Sequence, residues 1–200
     1  MRTVDPVKHA ARRRQIVHAA AHVFAEHGFE AASTAKICKA AGVSTGALFH
    51  YFANKREIFV AVLTDDDDDT AAQLAACLSQ EDPLAGLLAF VTHLAAAAEH
   101  AVVPPLVLEA MLQAGRDPEL AAKLDQTSGD EQAGITALLE RAADRGLVDL
   151  PFPVGETASA IMSMVSALYL RAATEPGFDA DTAITNLDVT VRRLLKADGG

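Results

Sequence analysis

Thr34, Lys36, Ser44, Thr45, Gly46, Phe49, His50, Tyr51 and Lys55 fall in one short stretch of a 200-residue chain. Hydroxyl, phenol and ammonium groups suit phosphate oxygens. Short side chains near a helix N-terminus reach base edges in a major groove. The chemistry these types support is nucleic-acid contact. A catalytic set is absent from the pattern: there is no glycine-rich phosphate loop, nucleophile elbow, His-Glu-x-x-His or Cys-x-x-Cys. No enzyme, catalytic residue or cofactor is expected. His18 and His22 stand four apart, a spacing that can hold a metal on a helix. With no third ligand in the pattern they read as a solvated pair, and no metal is expected.

The stretch reads as two short helices around a tight turn. The first spans residues 34–41, capped by Ser33 or Thr34. Gly42 closes it in the left-handed conformation, and Ser44 caps the second. Ile37, Ala41, Val43, Leu48 and Phe52 are spaced to pack inward, leaving Thr45, Gly46, Phe49 and His50 outside. That is the geometry of a helix-turn-helix. Upstream, Ile16, Ala20, Val23, Phe24 and His27 form one stripe of a helix over about 11–27. Downstream, Asn54 with Glu57 makes a capping-box start for a fourth helix. Lys55 and Arg56 oppose the dipole there, which a nearby phosphate would offset.

At this point the sequence resembles a known family, the TetR family of bacterial transcriptional regulators. The matching pieces are IVHAAAHVFAEHG, the link at residues 29–34, Gly42-Val43-Ser44 with GALFHYF, and Asn54-Lys55-Arg56-Glu57. They cover about residues 12–63. The resemblance implies that Thr34, Tyr51 and Lys55 contact phosphates and that Ser44, Thr45, Gly46, Phe49 and His50 face the groove. Thr45 departs from the usual Lys and Phe49 from the commoner Tyr. Fewer direct base hydrogen bonds are therefore expected, with thymine methyl contacts and DNA shape carrying more. For Phe49 the alternative is packing against the first helix.

Charge agrees with this division. The first sixty residues hold nine basic and four acidic side chains, a net +5 within a chain of −10. A basic head on an acidic body is the electrostatic footprint of a DNA binder. Lys8, Arg12, Arg13 and Arg14 read as phosphate or minor-groove contacts or, equally, as a solvated helix start. The first fifteen residues are polar and basic, unlike a signal peptide, and the apolar runs at 84–98 and 158–170 are short for a bilayer span. A cytoplasmic protein with reduced Cys38 and Cys77 and no membrane contact is expected.

The expected organisation is all-α, TetR-like. A flexible basic arm occupies 1–10, a three-helix DNA-binding domain 11–56 (helix-turn-helix about 34–53), and a helical-bundle ligand-binding and dimerisation domain 57–200. Within the body, helices are expected at 84–100, 104–113, from 118 to 146 (continuous or restarting at Ser128), 154–173 and 181–196. The five acids Asp65–Asp69 read as a solvated acidic face, since neighbours on a helix point apart and cage a cation poorly.

The penultimate helix is apolar nearly all round and needs two partners. The resemblance implies that it pairs with the last helix and their symmetry mates through Ile161, Val165, Leu168, Tyr169, Leu187, Val191 and Leu194. The alternative is a monomer in which that helix is simply central. A two-fold dimer would place two recognition helices on a palindromic operator in double-stranded DNA. No Lys or Arg occurs between Arg56 and Arg116. An effector pocket there would suit an apolar or cationic small molecule, with candidate residues Phe90, Leu94, Leu108, Met111 and Met162, and Glu109 as counter-charge. The sequence therefore reads as a homodimeric, ligand-responsive regulator, a repressor released by its effector. The competing reading is a helix-turn-helix protein of nucleoid organisation or division control that has no effector.

Overall fold

The computed structural model describes residues 6–64 and 67–196 (for 67 and 68, the backbone only). Among the described residues it is all-helical, with ten α-helices and one 3-10 turn. In order these are α1 (Pro6–Ala31), α2 (Thr34–Ala41), α3 (Thr45–Tyr51), α4 (Lys55–Leu63), α5 (Asp67–Leu78), α6 (Pro83–Ala96), the 3-10 turn (Ala97–Glu99), α7 (Val103–Ala114), α8 (Pro118–Asp144), α9 (Val154–Thr174) and α10 (Ala180–Leu194).

The first helix departs from the sequence reading at both ends. It begins at Pro6, so residues 6–10 are helix rather than arm. Proline is favoured in a first turn, where its missing N–H and fixed φ cost nothing. Residues 1–5 of the expected arm lie outside the described residues. At the other end Gly28 (φ 71°, ψ 169°) leaves the helical conformation, as a glycine stop does, and one further turn follows to Ala31. The acidic run is divided: Asp65 and Asp66 lie outside the described residues, and α5 starts at Asp67.

Local signals set most other boundaries. Asp82, Asp117 and Asp179 cap α6, α8 and α10 with side-chain oxygens, and Pro83 and Pro118 follow the first two. Helix α8 runs unbroken through Ser128, so the capping-box pattern there is unused. Its Gly134 is needed for contact rather than for a break. A Cβ at that position would lie 2.5 Å from Leu74 Cδ1, so the Leu74 side chain of α5 packs into the space that Gly134 leaves open.

Two cores result. One joins α1 to α4 through the fully buried Ile16, Phe24, Ile37, Leu48, Ile58 and Phe59. Each such side chain contributes about 1.5–3 kcal/mol by leaving water. Leu106 and Ala110 of α7 and Leu120 of α8 belong to the same cluster, so α7 packs on α1 across the expected domain boundary at residue 56. The second core gathers α6, α8, α9 and α10 around Phe90, Leu138, Leu139, Ile161 and Val191.

This second core takes in the residues expected at a dimer face. Ile161 and Val191 are fully buried within the single chain, and Val165, Leu168 and Leu187 nearly so. Tyr169 is half-buried and donates its hydroxyl to the Leu94 carbonyl. Leu194 is half-buried against the same cluster.

Candidate nucleic-acid interface and the cavity behind it

Helices α2 and α3 are held by short-range caps. Ser33 Oγ accepts from the Lys36 N–H (3.2 Å), and Ser44 Oγ from the Ala47 N–H (3.2 Å). Gly42 takes φ 63° and ψ 36°, a conformation costly for a residue with a Cβ. The Val43 N–H then closes the turn on the Cys38 carbonyl at 3.0 Å. Asn54 Oδ1 accepts from the Glu57 N–H (2.9 Å), while Glu57 Oε2 reaches back to the Ala53 N–H (2.8 Å).

Leu48 is the buried anchor of α3. Turned away from it, Ser44, Thr45, Gly46, Phe49 and His50 are exposed, Phe49 by 47 %. An exposed phenylalanine between two small polar residues and an imidazole suits thymine methyls and sugar edges. Thr34 and Tyr51 are half-buried, and Lys36 is exposed with its ammonium donating to the Ala31 carbonyl (3.2 Å).

Lys55 is placed differently from the phosphate contact that the resemblance implies. Its ammonium donates to the carbonyls of Phe29 (2.6 Å), Ala32 (3.0 Å) and Glu30 (3.3 Å) and lies 4.4 Å from the Phe29 ring centroid. It caps the C-terminus of α1. Arg56 is likewise engaged: Nε donates to Asp117 Oδ2, and Nη2 to Asp117 Oδ1 (3.0 Å) and Glu119 Oε2 (2.6 Å). Protein groups thus surround both charges at the start of α4.

Three further residues brace this surface. The His9 ring lies 4.5 Å from the Tyr51 ring and 5.8 Å from the His50 ring. The Arg13 guanidinium lies 5.2 Å from the Phe52 ring centroid, and Gln15 Nε2 donates to the Ala41 carbonyl (2.9 Å). All three sit on α1, and spacing along the chain gave no sign of these partners. His18 and His22 have ring centroids 5.0 Å apart, and no group of three metal-binding side chains occurs among the described residues.

Behind the interface lies a cavity of about 470 Å³ bounded by α4, α6, α7, α8 and α9. Leu94, Met111 and Met162 line it. Phe90 lines an adjoining cleft of about 250 Å³, which shares Thr127 and Glu131 with the cavity. Leu108 lines neither space. Glu109 points the other way. Its Oε1 accepts from Gln113 Nε2 (2.8 Å), and its Oε2 lies 3.0 Å from where a Cβ of Gly28 would be. Among the described residues, the acids that line the cavity are Asp125 and Glu131, and no Lys, Arg or His lines it. Lys123 lines the adjoining cleft. Burial, with the Glu131 charge nearby, pushes the Tyr169 phenol up to about 12, so it stays neutral and keeps its bond to Leu94.

An open groove of about 510 Å³ runs between α9 and α10, and Leu168 and Leu187 of the expected dimer set border it. Met164, Ala167, Asn186 and Thr190 line it, with Ser163 and Leu170 exposed alongside. Small residues let another helix pair approach closely. No single helix among the described residues is long and apolar enough to cross a membrane.

Comparison with known proteins agrees with this architecture. Residues 16–62 match the family model described as bacterial regulatory proteins, tetR family. The HTH-type transcriptional repressor Rv1474c of Mycobacterium tuberculosis is 32 % identical over 147 residues, covering 72 % of this chain and 74 % of that protein. The HTH-type transcriptional repressor AcnR of Corynebacterium efficiens is 28 % identical over 182 residues, covering 90 % and 93 %. Among solved structures, a transcriptional regulator from Rhodococcus superimposes with a TM-score of 0.75 at 25 % identity, covering 92 % and 96 %. A TetR regulator from Haloarcula marismortui reaches 0.80 at 18 % identity, covering 94 % and 98 %, a likeness of fold.

Proposed function

The chain belongs to the TetR family of DNA-binding transcriptional regulators, and from that premise we propose that it is a homodimeric repressor released from a palindromic operator by a small molecule. The observation that carries this reading is the division of α3: Leu48 locks one side into the core while Thr45, Gly46, Phe49 and His50 stand exposed on the other. An exposed, capped helix of that composition fits a major groove.

The dimer in this proposal is built on the α9–α10 groove, with Ala167 and Met164 near its centre. The ligand occupies the 470 Å³ cavity. Its apolar walls and acidic polar groups favour an apolar or cationic molecule, because among the described residues no Lys, Arg or His lines the cavity itself to offset an anion's desolvation. The cavity also favours a ligand-responsive regulator over an effector-free architectural protein. Ligand binding shifts the repressor between two arrangements of its recognition helices, by no more than its differential affinity for them.

The test is selection of genomic fragments by the purified protein at about 150 mM salt, where non-specific phosphate binding is weakened. Recovery of a few fragments sharing one palindrome supports the proposal. Diffuse recovery across unrelated sequences supports the architectural reading instead.

A further inference from the structure

Arg56 and Asp117 are 61 residues apart in sequence and lie at the starts of two helices with different tasks. Arg56 is in the first turn of α4, whose Ile58 and Phe59 belong to the core of the DNA-binding domain. Asp117 is the N-cap of α8, and its Oδ1 also accepts from the backbone N–H groups of Glu119 and Leu120, both at 3.1 Å. One carboxylate thus starts the body helix and grips the DNA-binding domain. The next turns of α8 supply Ala121, Leu124, Asp125 and Ser128 to the cavity wall, and the far end of α4 supplies Leu63. Both helices touch the cavity, and the ion pair ties them together at their starts.

We propose that Arg56 and Asp117, with Glu119 as a second acceptor, form an interdomain latch. It fixes the angle between α4 and α8, presets the recognition helix for its operator, and makes α8 the wall through which cavity occupancy reaches the DNA. This rests on the regulator reading given above. The fork-on-fork contact of a guanidinium with a carboxylate fixes orientation as well as distance, which a single apolar contact does not. Arg56 is then a positioning residue, and its charge is not spent on a phosphate.

The experiment measures affinity for the tightest selected fragment, and its salt dependence, for the wild type, Arg56→Gln, Asp117→Asn and the double variant. Asparagine is as good an N-cap as aspartate, so α8 keeps its start. Circular dichroism and the thermal midpoint check that each variant is folded. The latch predicts that either single change weakens operator binding by about 10-fold, through lost preorganisation. It predicts that the double change is no worse than either single one, and that the salt slope is unaltered. A phosphate role for Arg56 predicts the reverse pattern. Arg56→Gln would then lower the salt slope by about one contact, and Asp117→Asn, which removes a negative charge, would leave binding unchanged or tighter. That result overturns the latch. Failure of the wild type to select any fragment would overturn the regulator reading itself, and the latch with it.

Discussion

The Lys55 ammonium caps the end of α1, 2.6 Å from the carbonyl oxygen of Phe29 and within hydrogen-bond reach of the Ala32 carbonyl. The first and fourth helices of the DNA-binding domain are joined at this point. A helix C-terminus leaves carbonyls without partners and carries partial negative charge, and the ammonium answers both needs.

Lys55→Met is therefore expected to lower stability by about 1–3 kcal/mol, the usual cost of losing hydrogen bonds to a charged group. Chemical denaturation measures it. The salt slope of operator binding should stay as in the wild type. A normal stability with a slope reduced by about one would restore Lys55 to the phosphate contacts.

The dimer prediction follows from burial. Leu168 is 8 % exposed within one chain and also borders the α9–α10 groove, so Leu168→Arg disturbs the core together with the seam. Ala167, its exposed neighbour, lines the α9–α10 groove. Ala167→Arg should give folded monomers by sedimentation velocity, with operator affinity lost. An intact dimer from that variant would remove the groove as the interface.

Acid stability supplies a third prediction. The Arg56 guanidinium, followed by the backbone N–H of Leu120, holds the Asp117 carboxyl down at about 2, below its ordinary 3.8. A depressed pKa means that the folded state binds the proton less readily than the unfolded one. The contribution is complete above about pH 4 and is lost as pH falls toward 2. Urea unfolding between pH 5 and pH 2.5 should show a steeper decline for the wild type than for Asp117→Asn. Parallel curves would mean that the pair adds nothing to stability.

Ligand charge is tested with two amphiphiles of equal tail. Decyltrimethylammonium should raise the thermal midpoint and bind in calorimetry, with affinity reduced by about 10-fold in Glu131→Gln, the scale of one polar contact in a cavity. Decanoate should do neither. Tighter binding of decanoate would contradict the charge argument drawn from Asp125 and Glu131.

What could be read from the sequence follows how far each interaction reaches. The caps at Ser33, Gly42, Ser44 and Asn54 act within three or four residues, and the helices they bound lie where the sequence places them. The exposed set on α3 follows from the position of Leu48 within one short helix. The continuity of α8 was not legible, because the capping pattern at Ser128 is a local signal that the unbroken helix leaves unused. Nor was the orientation of α9, whose apolar residues fill more than one stripe, so its sequence marks it as central without saying which side faces its own core. The His9–Tyr51 and Arg56–Asp117 contacts join residues far apart in the chain and have no signal in spacing. Glu109 belongs to the same class. Its sign suited a pocket, but it serves the α1–α7 junction.

The central claim is that the exposed face of α3 reads DNA, and Gly46→Asp tests it most directly. A Cβ at Gly46 meets nothing within 4 Å, so the variant has room to fold, and an acid in the first turn suits the helix dipole. The same carboxylate would face the phosphates and base edges of the groove. The measurement is operator affinity beside the thermal midpoint. The account predicts an unchanged or higher midpoint with affinity reduced by about 100-fold or more, as expected for a charge repelled at the groove. A folded Gly46→Asp protein that binds its operator as tightly as the wild type would contradict it.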